Sequence, residues 1–194
     1  MSKSRPVVKI GIDFDGVLAY NPFRIIRAPI TYVKRRFFGI RKLRFYVPNT
    51  PFERFVWALL HESSVLPARG IRLLPELAAR PDVKLYLVTA RFGYLQPSLY
   101  RWLDRHGVRD LFADILINRR DEQPHEHKLQ TINRLGLNYY IEDNWDIVEY
   151  LQGRTDTRVM WIYNIADRHY GYPDKYPFLE AALGEVRHNL PERK

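Results

Sequence analysis

The sequence of 194 residues predicts an α/β fold, in which a parallel five-stranded sheet carries helices on both faces. From about residue 83 onwards, short apolar segments that suit buried strands alternate with longer segments of helical periodicity. A further apolar strand near the amino terminus is separated from them by a basic stretch of different composition. We therefore expect a Rossmann-like domain with a helical insert after its first strand.

The first predicted strand, over residues 7–12, ends in two acids one residue apart, Asp13 and Asp15. Residues i and i+2 of a strand lie on the same face, so the two carboxylates are expected to share a small space. Their repulsion favours either a bound cation or protonation of one of them. The alternative is a strand that ends in an ordinary polar turn, because Asp-Gly is a common turn dipeptide.

The insert, predicted over residues 19–69, is basic and rich in aromatic residues. Eight Lys or Arg residues and no acids lie between Asp15 and Glu53, so this stretch carries +8 of the net charge of +9. Apolar residues recur there at helical spacing, and Thr50 is placed to cap a helix that starts near Phe52. An anionic partner is the expectation for such a region.

The remaining elements follow from periodicity and from Gly and Pro breaks. Helices are predicted over residues 69–80, 96–106, 125–135 and 146–152, and strands over residues 83–88, 113–117, 139–141 and 159–163. Repeated strand and helix units favour a parallel sheet, because a parallel connection needs a crossover.

Composition excludes several classes of protein. The sequence contains no cysteine, which excludes disulfides, thiol nucleophiles and cysteine-bound metals. No apolar stretch approaches the ~18 residues that a transmembrane segment needs. Residues 1–6 include no apolar signal region. We therefore expect a soluble, cytoplasmic protein without a transmembrane segment.

Polar residues stand at the carboxyl ends of the predicted strands, where ligands bind in parallel sheets. Asp13 and Asp15 follow the first strand, Thr89 follows the second, and Asp143 follows the fourth. Lys128 lies in the helix between the third and fourth strands, where the alternative for it is a solvated helix position. In this order, the motifs resemble those of the haloacid dehalogenase (HAD) superfamily, and the flanking residues look like its deoxyribonucleotidase-like branch.

The resemblance implies a role for each matching residue. Asp13 would be the nucleophile that forms an aspartyl-phosphate, and Asp15 would donate a proton to the leaving oxygen and later accept one from water. The Thr89 hydroxyl, the Ala90 amide and the Lys128 ammonium would bind the phosphoryl group.

The resemblance also implies a Mg²⁺ site with oxygen ligands only. The carboxylates of Asp13 and Asp143 and the main-chain carbonyl of Asp15 would supply the protein ligands. Strand geometry points the preceding Glu142 away, although a water-mediated role for it is left open. Asp146 lies three residues after Asp143, closer than the superfamily usually places a further acid, so its role is also left open.

The insert falls where this superfamily carries a small cap over the active site. We therefore expect a core of residues 1–18 and 70–194 and a helical cap of residues 19–69. Arg24 and Arg27 in the cap, and Arg91 after the second motif, are candidate substrate contacts. Arg91 could instead pair with a neighbouring acid.

The predicted function is a Mg²⁺-dependent phosphatase that acts on a phosphorylated small molecule, with a nucleoside monophosphate as the leading substrate, as in a 5′-nucleotidase. The alternative is a protein that binds nucleic acid or an anionic membrane surface through the basic cap and keeps only vestigial catalysis. The sequence does not predict the oligomeric state.

Overall fold

The fold is taken from a computed structural model that describes residues 6–20, 47–62, 66–164 and 167–191. The strands are β1 (Val8–Ile12), β2 (Ala19–Tyr20), β3 (Leu66–Pro67), β4 (Val83–Phe92), β5 (Phe112–Asn118), β6 (Tyr139–Glu142), β7 (Arg158–Ile162) and β8 (Lys175–Tyr176). The helices are α1 (Pro51–Glu62), α2 (Leu74–Ala78), α3 (Gln96–Arg105), α4 (Pro124–Leu135), α5 (Trp145–Leu151) and α6 (Leu179–Asn189).

The main sheet of the described residues has six strands in the order β5-β4-β1-β6-β7-β8, and every neighbouring pair is parallel. The predicted α/β fold with a parallel sheet is confirmed, but the number of strands is six rather than five. The additional strand, β8, consists of Lys175 and Tyr176 at the edge of the sheet. Two residues are too few to show a strand period in the sequence.

Helices cover both faces of the sheet, and each face has its own core. On β4, Leu85 and Leu87 pack into one hydrophobic cluster, whereas Tyr86 and Val88 pack into the other. This alternation follows from the period of two in a strand. Residues of α2, α3 and α6 complete the first cluster, and residues of α4 and α5 complete the second. Of these helices, α6 was not predicted from the sequence.

Strand register brings the ends of three strands to the same edge of the sheet. Ile12 at the end of β1 pairs with Leu87 on β4 and with Ile141 on β6. The next residue on β1, Asp13, donates its main-chain N–H to the carbonyl of Ile141 at 3.0 Å. The residues that follow these positions on all three strands therefore meet at the carboxyl edge of the sheet.

The described part of the predicted insert contains α1. The Oγ1 of Thr50 accepts the main-chain N–H of Glu53 at 3.2 Å, and the Glu53 carboxylate accepts the N–H of Thr50 at 3.0 Å. This reciprocal capping box is what the Thr-x-x-Glu pattern favours. The predicted helix between residues 22 and 39 lies outside the described residues.

The two ends of the predicted insert are joined by a two-stranded ribbon, in which β2 and β3 pair antiparallel. The ribbon lies next to the boundaries that the sequence analysis placed at residues 18 and 70. The division of the chain into core and cap stays a prediction. Across the described ranges, none of the helices has the length and apolar character that a membrane span requires.

Gly70 marks the point where the chain returns from the ribbon to the core. Its φ is +105°, and a Cβ there would lie 2.5 Å from main-chain atoms of Glu180 at the start of α6. Glu180 also accepts hydrogen bonds from Arg69 and Arg72, at 2.6 Å each. The absence of a side chain at Gly70 therefore allows α6 to dock closely on this turn.

We expect Gly70→Ala to lower the free energy of unfolding by about 3 kcal/mol or more, because the main chain of Glu180 must move as well as the turn. Gly107→Ala is the matched control: its φ is +63°, but the added Cβ meets nothing within 4 Å. That control should cost only the left-handed strain of about 1–2 kcal/mol. Urea denaturation measures both, and equal losses would contradict the close docking of α6.

Candidate active site

Asp13 follows β1 directly and is buried, with 4% of its surface exposed. The alternation of the strand sends the next residue, Phe14, into the core, where its ring meets Trp102 edge-to-face at 5.0 Å. Gly16 then turns the chain sharply, with a φ of +86° and its N–H donated to the carbonyl of Ala19 at 2.8 Å. Asp13 is thus fixed at the carboxyl edge of the sheet between a core anchor and a tight turn.

Lys128 lies on α4 and points into the same space, with only 2% of its surface exposed. Its Nζ lies 3.1 Å from the Asp13 carboxylate and 2.7 Å from that of Glu142. Burial alone would lower the pKa of Lys128, but the charges of Asp13 and Glu142 outweigh burial and raise it. Lys128 is therefore a buried, charged ammonium, and the alternative of a solvated helix position is wrong.

Three carboxylates surround this ammonium. Asp13, Glu142 and Asp143 each offer an oxygen, and these oxygens lie within 4.8 Å of one another. With all three ionised, the cluster carries three negative charges against the single positive charge of Lys128, a balance of −2 that a divalent cation would cancel. Carboxylate oxygens at this spacing are ligands that suit Mg²⁺. The carboxylate oxygens of Asp13 and Asp143, the two predicted ligands, therefore lie close enough to share the predicted metal.

Burial raises the pKa of Asp13 well above its ordinary value of 3.8. Lys128 opposes the shift, whereas the negative charges of Glu142, Asp143 and Asp15 add to it. A cation bound at this cluster would therefore compete with a proton on Asp13.

Asp15 is paired with Arg91. The Nε and one terminal nitrogen of Arg91 each donate to a different oxygen of the Asp15 carboxylate, at 2.7 Å in both cases. The guanidinium also lies over the ring of Phe14, 4.4 Å from its centroid, and the Arg91 side chain is 3% exposed. The structure thus directs Arg91 to the neighbouring acid, which was the alternative to a substrate contact.

Thr89 and Ala90 lie on β4, which continues to Phe92 and is longer than predicted. Thr89 is fully buried, and its Oγ1 accepts the main-chain N–H of Arg91 at 3.2 Å. The pairing of β4 with β5 is irregular between Thr89 and Phe92. An irregularity of this kind re-aims the end of a strand. The candidate substrate residues Arg24 and Arg27 lie outside the described residues.

The side chain of Glu142 does not point away from the site, although strand alternation predicts that it should. It was expected to point away from the site, but its carboxylate lies between Lys128 and the turn that leads to α5. Glu142 is the last residue of β6, where the regular alternation of the strand gives way to the turn. One signal in the sequence was that Glu142 directly follows the apolar segment Tyr139–Ile141. An acid at the end of a buried strand needs polar partners nearby, which indicates an inward position.

Asp146 is the acid in the first turn of α5, a position that suits a negative charge. Its main-chain N–H donates to the Oδ1 of Asn144 at 3.0 Å, so Asn144 caps the helix. Within the described ranges, the set of three clustered carboxylates does not include Asp146. The same holds for the buried histidines of α4, His125 and His127, whose pKa values burial lowers.

No protein-family model and no curated protein sequence matches the chain. Solved structures do match. A Thermotoga maritima protein assigned as a β-phosphoglucomutase has a TM-score of 0.60 and 19% sequence identity, over 95% of this chain and 100% of that one. A haloacid dehalogenase-like family hydrolase from Streptococcus pneumoniae has a TM-score of 0.58 and 15% identity, over 93% and 98% of the two chains.

A third match is CbbY from Rhodobacter sphaeroides in complex with phosphate, with a TM-score of 0.55 and 15% identity over 90% of this chain and 95% of that one. The chain has the HAD fold. At these identities the likeness shows the fold alone, so the chemistry of the site rests on its own residues. Membership of the deoxyribonucleotidase-like branch stays a prediction.

The pKa of Asp13 predicts how a metal stabilises the protein. Because that pKa is raised on folding, its contribution to stability is present below pH 3.8 and is lost as pH rises through the raised value. A bound cation pairs with the carboxylate and removes this loss. We expect Mg²⁺ to raise the melting temperature of metal-stripped protein more at about pH 8 than at about pH 5.

Differential scanning calorimetry with and without Mg²⁺ measures this effect. Asp13→Asn serves as the control, since it keeps the shape of the side chain and should abolish the pH dependence of the Mg²⁺ effect. Stabilisation by Mg²⁺ that is the same at both pH values would contradict the assignment.

Proposed function

We propose that the protein is a Mg²⁺-dependent phosphatase that hydrolyses a phosphomonoester through an aspartyl-phosphate on Asp13. One observation carries the proposal: the Lys128 ammonium is buried between Asp13 and Glu142, with Asp143 in the same cluster. A buried cation beside a carboxylate and a candidate divalent-metal site is an arrangement that stabilises a transferring phosphoryl group. The HAD fold of the chain is consistent with this chemistry.

In the first step, an oxygen of Asp13 attacks phosphorus while the bond from phosphorus to the ester oxygen breaks. For this step the Asp15 carboxyl must be released from Arg91 and carry a proton; the leaving oxygen takes that proton and departs as an alcohol. In the second step, water attacks phosphorus and gives its proton to Asp15. The acyl-phosphate bond then breaks, which releases inorganic phosphate and restores Asp13.

The neighbouring residues hold the reacting groups. Lys128 orients the attacking carboxylate through the 3.1 Å contact and offers its charge to a phosphoryl oxygen. The Thr89 hydroxyl and the Ala90 amide are the proposed further donors to the phosphoryl group. Mg²⁺, held by Asp13 and Asp143 with the Asp15 carbonyl, would neutralise negative charge on the phosphoryl oxygens.

Phosphatase activity on a chromogenic phosphate ester tests the proposal. We expect activity that requires Mg²⁺, is lost with a chelator, and falls at least about 10³-fold in Asp13→Asn, because the amide cannot serve as the nucleophile. Circular dichroism of the variant controls for folding. Activity in a folded Asp13→Asn protein equal to that of the wild type would refute the nucleophile.

The substrate is proposed to be a nucleoside monophosphate. This choice rests on the sequence resemblance of residues 13–19 and 142–146 to the deoxyribonucleotidase-like branch. A screen of nucleotides, sugar phosphates and phosphorylated lipid head groups, compared by kcat/KM, distinguishes the substrate classes.

Arg91 is proposed to act on Asp15 rather than on the substrate, because its guanidinium is buried against that carboxylate. Arg91→Lys keeps the charge but loses the two-pronged contact. We expect kcat to fall by about tenfold with KM nearly unchanged, since the geometry of the acid/base would be disturbed. Steady-state kinetics measure both constants. A rise in KM at constant kcat would assign Arg91 to substrate binding instead.

A second candidate function is binding to nucleic acid or to an anionic membrane surface. The apolar face of α1 favours the membrane surface, because Phe52, Phe55 and Leu59 are 75%, 63% and 62% exposed. The basic residues 24–44 precede this helix in sequence. Under this function catalysis would be vestigial, so loss of a robust activity in Asp13→Asn would dismiss it. A cytoplasmic location stays a prediction under either function.

A further inference from the structure

Glu142 is completely buried, with none of its surface exposed. Transfer of an ionised carboxylate from water into the protein interior is costly unless each oxygen is matched by donors. The contacts of Glu142 therefore report what the residue does.

Protein donors occupy both oxygens of Glu142. Its Oε2 accepts from the Nζ of Lys128 at 2.7 Å and from the hydroxyl of Tyr140 at 2.9 Å. Its Oε1 accepts the main-chain N–H of Asp143 at 3.2 Å and that of Asn144 at 3.0 Å. A carboxylate has about four acceptor positions, so these contacts use its capacity.

These contacts leave no open direction for a metal. A cation at Oε2 would have to displace the Lys128 ammonium, which bears the same sign of charge. A cation at Oε1 would have to break the hydrogen bonds that shape the turn carrying Asp143. Glu142 therefore differs from Asp13 and Asp143, although all three lie within one cluster.

Tyr140 locks this arrangement from across the sheet. Tyr140 lies on β6, and its hydroxyl donates a hydrogen bond to the Glu142 carboxylate. The same hydroxyl lies 3.3 Å from the carbonyl of Val88 on β4. Because β1 lies between β6 and β4, the ring must cross that strand. It crosses at Gly11, where a Cβ would come within 2.9 Å of the ring. A glycine inside a strand is characteristic of such a close approach.

The peptide of Asp143 is held on its other side as well. The indole N–H of Trp161, a fully buried residue of β7, donates to the carbonyl of Asp143 at 3.1 Å. With Glu142 on the N–H and Trp161 on the carbonyl, the main chain of Asp143 is held from both sides.

We propose that Glu142, locked by Tyr140, is a positioning residue that fixes Lys128 and the Asp143 turn and that it does not ligate the metal. This inference rests on the proposed function for its effect on turnover. Its effects on the turn and on metal binding are independent of phosphatase activity.

The test compares Tyr140→Phe with Tyr172→Phe in the full-length protein. Tyr172→Phe is the matched control, because that hydroxyl also donates to a main-chain carbonyl, that of Val159 at 2.7 Å, but is not part of the Glu142 cluster. Loss of the Tyr140 hydroxyl removes one of the two donors to Oε2 of Glu142. We expect the carboxylate to shift and its hydrogen bonds to the N–H groups of Asp143 and Asn144 to weaken.

Three measurements are made. Amide hydrogen exchange by NMR on metal-free protein should be faster by about tenfold at Asp143 and Asn144 in Tyr140→Phe, and unchanged there in the control. Mn²⁺ binding, followed by electron paramagnetic resonance, should stay within about threefold of wild type in Tyr140→Phe but weaken at least about tenfold in Asp143→Asn. The kcat of Tyr140→Phe should fall by about tenfold.

Two results would overturn the proposal. Unchanged exchange at both amides would show that Tyr140 does not hold the turn, and loss of Mn²⁺ affinity as large as in Asp143→Asn would indicate a ligand. Faster exchange throughout the protein would signal general destabilisation and would also count against it. A wild-type protein without phosphatase activity would refute the proposed function, while the exchange and Mn²⁺ measurements would still decide this inference.

Discussion

The contact on which the rest of the site depends is the Lys128 ammonium, buried between the carboxylates of Asp13 and Glu142. Charged groups at this depth are stable only when they are paired. Lys128 neutralises one of the three negative charges gathered at the edge of the sheet, and the remainder suits a divalent cation. The same ammonium is placed to meet a phosphoryl group, so one interaction links the stability of the site to its proposed chemistry.

The parallel sheet makes this contact feasible. With β1 at its centre, the order of the strands brings Asp13, the end of β4 and the end of β6 to a common edge, and α4 supplies Lys128 from one face. Gly11 adds a passage across the central strand, through which the Tyr140 ring connects β6 to β4. The geometry of the site is thus largely set by the sheet beneath it.

The sequence predicted the α/β fold and the acids at the strand ends, because hydrophobic period and the order of elements along the chain can be read directly from it. It did not predict α6, and β8 was too short to show a period. The sequence left open whether Arg91 contacts the substrate or a neighbouring acid, because its partner depends on register between distant strands. The inward position of Glu142 was not predicted, because it depends on the turn after β6. The burial of Lys128 was left open because sequence alone does not separate a paired buried lysine from a solvated one.

The most direct test of the central claim is a crystal structure of the protein with Mg²⁺ and vanadate as a phosphate mimic. The account predicts one ion within about 2.0–2.1 Å of an oxygen from Asp13 and one from Asp143, with vanadate next to Asp13 and Lys128. An ion bound away from both carboxylates, or Asp13 and Asp143 too far apart to share it, would contradict the account.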